Sequence, residues 1–365
     1  GNIFGGFPWL YIGYSQTDSL LTGLIPIIGV LGVGFVVVVL ASVFLEILYS
    51  HGRKRLVLIF GFLSMLICCG LSHMYVFTYP KDKPINIAMI QNNISLDDKW
   101  NREKIADIAN GYLQASFEIE DADLVIWPEA AIPLFLDELE LDIITILKNA
   151  DSDFIIGVIQ REVSDENARY FNSALAIGDK RFIYKKRKLV PFGEYLPIPS
   201  FFGWVFNQLK IPMSNFTPGQ MNQQRILLAG QQIGVSICYE DAFGNVIKSA
   251  LPEATILVNI SEDAWFGDSL APHQRLQMAR GRAIEFGRPV IRSSNNGLSS
   301  IIKEDGTVTV IAEQFKKTIV QGNVQPMEGT TPFLFWGNVP VLVLCFAFIF
   351  IGLFQNIMLA ILNKY

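Results

Sequence analysis

A thiol and a carboxylate close the run Ile233-Gly-Val-Ser-Ile-Cys-Tyr-Glu240, in which a β-branched apolar stretch ends at Cys238 and Glu240. Read as a buried strand, the run delivers Cys238 to a strand's C-terminal edge, where open α/β sheets keep their reactive groups. Most free cysteines are only small buried hydrophobes. This one is set apart by isolation: Cys68, Cys69 and Cys345 fall inside long apolar runs, so Cys238 is the one cysteine in the rest of the chain and has no local disulfide partner.

A cysteine nucleophile needs a base and a group to hold the oxyanion of acyl transfer. Of three histidines, His51 and His73 lie with the apolar runs, and nothing around Ala271-Pro-His-Gln274 specifies His273 as a base. Neither clustered histidines nor Cys-x-x-Cys spacing occurs, so no metal is expected, and no motif calls for a cofactor. A carboxylate can serve as base where its surroundings raise its proton affinity. Leu124-Val-Ile-Trp-Pro-Glu129 ends a second apolar strand in an acid, with Pro128 stopping the ladder and Trp127 expected to shield Glu129. A surface glutamate in a turn is the plainer alternative. Tyr184-Lys-Lys-Arg-Lys-Leu-Val-Pro-Phe-Gly-Glu194 offers four cations, an apolar turn and a further carboxylate. One of these cations beside the thiol would stabilise the thiolate and then the oxyanion. The run by itself does not say which.

The elements that must position these groups fall into two kinds. With 51% hydrophobic residues and a positive mean hydropathy, the chain is too apolar for an ordinary soluble protein. Residues 20–45, 56–79 and 339–362 carry no charge and are expected to form three membrane helices. Three cations in the short link His51-Gly-Arg-Lys-Arg55 place that loop in the cytoplasm, so residues 1–18 and the segment between the second and third helices are expected on the opposite face. In residues 1–18, Trp9, Tyr11 and Tyr14 suit the headgroup zone. The domains expected are thus an aromatic segment (1–18), two helices with a basic loop (19–79), an exported catalytic domain (80–332) and a last helix (333–365). The net charge of −5 and the lack of a basic, aromatic-interleaved patch argue against a nucleic-acid partner.

Within 80–332 the pattern alternates. Strands are predicted over 85–92, 123–128, 154–160, 171–177, 233–238, 255–260, 289–293 and 318–324, with helices over 98–117, 136–148, 242–250 and 274–286 and a hairpin about Asp305-Gly306. Such alternation in two halves indicates an α/β domain with helix-covered sheets. The aromatic, proline-rich stretch 196–224 interrupts it and is expected to form a lid dipping towards a bilayer.

Taken together, Trp127-Pro-Glu129, Lys186 within Lys-Arg-Lys-Leu-Val-Pro-Phe-Gly-Glu194, and Ile237-Cys-Tyr-Glu240 resemble the Glu-Lys-Cys triad of the nitrilase (carbon-nitrogen hydrolase) superfamily. More narrowly, the chain resembles the bacterial apolipoprotein N-acyltransferase family. The likeness includes Phe7-Pro-Trp-Leu10 and Gly13-Tyr-Ser-Gln16, Lys99-Trp100, Asp263-Ala-Trp-Phe-Gly267, Gln277-Met-Ala-Arg280 and Asn295-Asn-Gly297. The resemblance implies a nitrilase-like αββα sandwich inserted between transmembrane helices of the bacterial inner membrane, with the catalytic domain periplasmic. It implies a ping-pong reaction: Cys238 attacks a phosphatidylethanolamine-like phospholipid acyl donor, Glu129 acts as base, Lys186 holds the oxyanion, and the thioester passes its acyl chain to the α-amine of a diacylated apolipoprotein. Glu194 and Glu240 would orient the triad and the incoming amine, while Trp100, Tyr239 and Trp9 match substrate-binding positions. The family commonly has histidine at Lys188 and asparagine at Glu262, and its members carry further helices ahead of the aromatic element. A membrane-tethered amidase or an inactive lipoprotein-binding scaffold would use the same fold.

Overall fold

The computed structural model describes residues 6–139, 143–164, 167–196 and 215–362. They divide into an α/β unit, made of residues up to Trp9 together with Thr78–Gly329, and a helical unit, Leu10–Phe77 with the chain from Thr330 onward. The aromatic segment expected over 1–18 is therefore split. Trp9 belongs with the α/β unit because its indole Nε1 donates to Gln274 Oε1 at 2.6 Å and its ring stacks on Phe7. Gly13 belongs with the helices, so close to Val30 that a Cβ on it would meet the Val30 carbonyl oxygen.

In chain order the helical unit opens with α1 (Ile25–Tyr49) and α2 (Gly52–Ser72). At about 1.5 Å per residue each is long enough to cross about 30 Å of hydrocarbon. Both are apolar enough to do so, and side chains such as Val38, Phe44, Phe60 and Ile67 are exposed. The chain is a membrane protein. The boundaries differ from expectation: α1 runs on to Tyr49, so Glu46 lies in the helix and pairs with Lys54 at 2.5 Å. The basic residues Arg53–Arg55 form the first turn of α2, which ends at Ser72 rather than 79. The reason for that early end is a strand, β1 (Thr78–Pro80), which leaves the helix to pair elsewhere.

The α/β unit continues with β2 (Ile85–Gln91), α3 (Leu96–Lys99), α4 (Ile105–Phe117), β3 (Leu124–Ile126), α5 (Leu136–Leu139), α6 (Ile143–Lys148), β4 (Asp153–Ser164), β5 (Asn167–Ile177) and β6 (Arg181–Lys185). Its second half holds β7 (Ile226–Leu228), β8 (Gln231–Ile237), α7 (Gly244–Lys248), β9 (Ile256–Ser261), α8 (Ala271–Phe286), β10 (Val290–Ser294), β11 (Ser300–Ile302), β12 (Val308–Ile311), β13 (Thr318–Val324) and β14 (Met327–Gly329), the partner of β1. The helical unit closes with α9 (Pro332–Trp336) and α10 (Val339–Leu362), the third of the expected spans. The helix expected over 98–117 is broken at Trp100, because Asn101 caps a new start by accepting from the Glu103 amide at 3.0 Å. Of the expected lid, residues 197–214 lie outside the described residues. Its return is anchored where the Phe216 amide donates to Glu194 O (2.9 Å) and the Gly219 amide to Lys186 O (2.8 Å).

Two six-stranded sheets result, ordered β13-β2-β3-β4-β5-β6 and β12-β11-β10-β9-β8-β7, with β2-β3-β4 and β8-β9-β10 parallel. Strand alternation assigns the faces. Ile87, Met89, Leu124 and Ile126 pack with Val235, Ile237, Val258 and Ile260 between the sheets. The alternate residues Ala88, Ile90, Val125 and Trp127 pack under α4 and α6 with Ile108, Tyr112 and Leu147. With α8 packed on β10 and β11, the layers are α, β, β and α.

One crossing holds β3's exit in place. Trp127 N donates to Ile155 O at 2.8 Å and Ala131 N to Gly157 O at 2.9 Å, so the turn carrying Glu129 lies flat across β4. A Cβ at Gly157 would sit 2.1 Å from Pro128 O and 2.6 Å from Glu129 Cα, both backbone. Gly157→Ala is therefore expected to cost about 1–3 kcal/mol, read as a lowered unfolding midpoint in detergent. Gly61→Ala, with nothing within 4 Å of its would-be Cβ, is the neutral control.

Candidate active site

Glu129, Lys186 and Cys238 leave β3, β6 and β8 at their C-terminal ends and line one cavity of about 440 Å³ together with Lys99, Trp100, Asn172, Glu194 and Glu262. Phe192, Phe216, Trp265 and Phe266 complete its walls. Lys186 Nζ donates to Glu129 Oε1 at 3.2 Å and to Glu194 Oε1 at 2.8 Å, and its side chain is 1% exposed. Asn172 Nδ2 bridges the same two carboxylate oxygens at 2.6 and 2.8 Å. The second Glu129 oxygen accepts from the Glu262 amide at 2.9 Å. Cys238 hydrogen-bonds to Glu129 as well, and it begins a tight turn with φ +50°, in the left-handed region that costs a non-glycine residue about 1–2 kcal/mol. Strain of this kind is concentrated at functional sites.

The charges are set by competition. Burial would push the Glu129 carboxyl up. The ammonium of Lys186, the hydrogen bonds from Asn172 and Cys238 and the charge of Lys99 outweigh it and hold Glu129 below the usual carboxylate range. Burial would likewise pull Lys186 down, but the carboxylates of Glu129 and Glu194 raise it above the ordinary lysine value, so it stays cationic. The thiol goes the other way: burial, then the Glu129 anion, push Cys238 up to about 12 against the opposing charges of Arg275 and Lys186. The resting site is thus a thiol beside a carboxylate and an ammonium, with no preformed thiolate.

The shielding expected of Trp127 does not occur. Its side chain falls on the opposite face of β3, stacking on Tyr112 at 4.9 Å and donating to Ser116 Oγ at 3.0 Å, because residues 127 and 129 are separated by the Pro128 turn and no longer alternate as a strand. Glu240 does not line this cavity. Its four contacts are the Tyr184 hydroxyl (2.8 Å) and the amides of Ile237 (2.9 Å), Arg187 (2.6 Å) and Lys188 (3.1 Å), so it clips the Lys186 loop to the end of β8 from beneath. Burial raises its carboxyl against those donors. Glu194 does border the cavity, and its second oxygen accepts from Val190 N at 2.8 Å, which folds the Val-Pro-Phe-Gly turn.

Tyr239 and Trp9 face a second cavity of about 510 Å³, nearly all apolar, shared with Phe7, Phe192, Phe266 and Cys238. The Tyr239 hydroxyl donates to Gly6 O at 2.8 Å, and the Trp9 and Tyr239 rings stack 6.4 Å apart. Cys238 lies where the two cavities meet. His273 lines neither and is exposed, so α8 does not offer it as a base.

Sequence reasoning passes over Asn172 and Arg275. Asn172 is a polar residue on an otherwise apolar strand, which is the available signal. Arg275 sits on α8 with its Nη1 3.5 Å from Cys238 Sγ, and nothing local to it points there. Glu262 pairs with the buried Lys99 at 2.5 Å and accepts from Asn295 Nδ2 at 3.0 Å.

A cysteine, glutamate and lysine converging at strand ends of an αββα sandwich define a carbon-nitrogen hydrolase architecture. Residues 86–331 match the carbon-nitrogen hydrolase family. The crystal structure of the carbon-nitrogen hydrolase from Helicobacter pylori G27 shares the fold, with a TM-score of 0.51 over 67% of this chain and 89% of that one at 17% identity. Residues 1–43 match the apolipoprotein N-acyltransferase N-terminal domain. The apolipoprotein N-acyltransferase of Methylococcus capsulatus is 38% identical over 94% of this chain and 69% of its own length, and that of Nitrosomonas europaea is 38% identical over 93% and 68%. The chain belongs to the apolipoprotein N-acyltransferase family.

The charge balance makes a signed prediction. Because the Glu129 anion raises the thiol, Glu129→Gln is expected to bring Cys238 below about 12. Each pH unit by which the thiol falls should speed iodoacetamide labelling of Cys238 on the order of tenfold at a given pH, while acyl transfer is lost. Peptide mass spectrometry of the Cys238 peptide reads the labelling; slower labelling than in the parent would contradict this electrostatic account.

Proposed function

We propose that the protein moves a fatty acyl chain from a phosphatidylethanolamine-like phospholipid to the α-amine of the diacylglyceryl-cysteine at an apolipoprotein N-terminus, through a thioester on Cys238. The observation that carries this reading is the convergence of Glu129, Lys186 and Cys238 in one apolar-walled cavity. In the first half-reaction Glu129 takes the thiol proton as Sγ bonds to the ester carbon. The carbonyl π pair moves to the oxygen, where the Lys186 ammonium stabilises it. Collapse re-forms the carbonyl and expels the lysophospholipid alkoxide, which recovers the proton from Glu129. In the second half the amine attacks the thioester, Glu129 accepts its proton, the C–S bond breaks, and the proton returns to sulfur.

Glu194 and Asn172 position Lys186, and Glu240 acts indirectly by clipping two loops together. Trp100, Tyr239 and Trp9 bind substrate, the last two through the apolar second cavity. A dry, apolar wall slows hydrolysis of the thioester. The cations at the α1–α2 junction support a multi-pass arrangement in the bacterial inner membrane with that junction cytoplasmic and the α/β unit periplasmic.

Incubation of the purified protein with labelled phosphatidylethanolamine and a diacylated lipopeptide is expected to yield N-acylated peptide. It should also yield a hydroxylamine-sensitive acyl adduct on Cys238, and Cys238→Ala should abolish both. Labelled free fatty acid with no acylated peptide would replace this reading with that of a membrane-tethered hydrolase. Peptide binding with no adduct would replace it with that of a scaffold.

A further inference from the structure

The mechanism above provides for charge on oxygen but not for charge on sulfur. Sulfur gains negative charge twice: as the thiol gives its proton to Glu129 while bonding to the ester carbon, and again as the C–S bond of the thioester breaks and its electron pair returns to Sγ. Beside largely apolar cavity walls, such a charge is costly unless a cation faces it.

Arg275 faces it. Its guanidinium is fully buried, and Nη1 lies 3.5 Å from Cys238 Sγ. The guanidinium is held from behind: Nη1 also donates to Asp263 Oδ1 at 2.8 Å, and Nη2 to Asp241 Oδ2 at 2.9 Å and Asn259 Oδ1 at 3.3 Å. Asp263 is shared with Arg292, which binds both of its oxygens, at 3.0 and 2.7 Å. The two aspartates are thus balanced by two arginines, and the group presented to the sulfur is the positive one. Arg275 borders the second cavity, whereas Lys186 borders the first, so Cys238 has a cation on each side.

We infer that Arg275 is a catalytic residue of its own kind: it stabilises the Cys238 sulfur as that atom gains negative charge, while Lys186 serves the carbonyl oxygen. The inference deepens the proposed function and rests on Cys238 being the nucleophile. The direction of the thiol's electrostatics agrees, since Arg275 and Lys186 lower Cys238 against burial, Glu129 and Asp263.

The experiment measures iodoacetamide labelling of Cys238 against pH, in detergent and without lipid substrates. Arg275→Gln is expected to slow labelling by about tenfold or more at every pH below the plateau. Arg275→His makes the cation titratable within one folded protein, because an imidazole changes charge near neutral pH. Its log rate should rise with pH, flatten as the imidazole loses its proton, and rise again. The parent protein, which retains His273, should rise without that inflection. A rate in Arg275→Gln equal to the parent's, or an uninterrupted rise in Arg275→His, would overturn the inference and leave Arg275 as a brace for Asp241 and Asp263. If Arg275→Gln does not fold, the Arg275→His profile decides alone. Because no acyl substrate is used, a negative result here is separable from a failure of the N-acylation assay.

Discussion

The site depends on a lysine ammonium that has been taken out of water. Lys186 is 1% exposed, and an ion of that size buried without partners costs several kcal/mol. Two carboxylates have to be brought to it, and Asn172 donates to both of them, which fixes the positions of Glu129, Glu194 and Asn172. Each of these constraints travels outward. Glu194 turns its other oxygen to Val190 N and so shapes the Val-Pro-Phe-Gly turn, whose Phe192 borders both cavities. Glu129 turns its other oxygen to the Glu262 amide and so ties the end of β3 to the end of β9, one strand from each sheet. The cavity is therefore shaped by the requirements of one cation.

The resting distribution of protons follows from the same cluster. Glu129 is held low and Cys238 is pushed up, so handing the thiol proton to Glu129 is unfavourable in the empty site. In the proposed reaction, proton transfer becomes favourable only as sulfur bonds to carbon and the new charge moves to an oxygen beside Lys186. Chemistry and deprotonation are thereby coupled, and the free enzyme keeps a thiol rather than an exposed thiolate. Thiolates are the species that oxidise most readily, so this also protects a solitary cysteine while it waits for substrate.

How much of this is legible in the sequence depends on whether the signal is local. Strand ends are readable because β-branched runs stop abruptly at Cys238 and at Pro128, and the two-half alternation of strands and helices indicates the layered class. Helix limits are less so: apolar composition gives the limits of the last helix, Val339–Leu362, but carries the second past Ser72, since nothing in residues 73–79 announces that Thr78–Pro80 will pair with Met327–Gly329 some 250 residues on. The shielding role expected of Trp127 fails because alternation ceases at the proline turn. Standing two residues from Cys238, Glu240 looks placed to face substrate, whereas the tight turn sends it beneath the loop it clips. Arg275 is invisible, as a contact across 37 residues leaves no trace in spacing.

The cavity's charges can be followed through the reaction. Lys99 and Lys186 are set against Glu129, Glu194 and Glu262, with the cysteine neutral at rest. In the proposed reaction, passing a proton from Cys238 to Glu129 as sulfur bonds to carbon neutralises one anion and creates another on the oxygen beside Lys186, so the sum does not change. Charge that moves a short distance inside a fixed cluster needs no solvent to reorganise around it, and fixed dipoles and ions do the work that water would otherwise do. The same arrangement explains why the walls can be aromatic: the polar components of the proposed reaction are already present and already paired. An apolar wall then suits the proposed acyl chain without penalising the charges beside it.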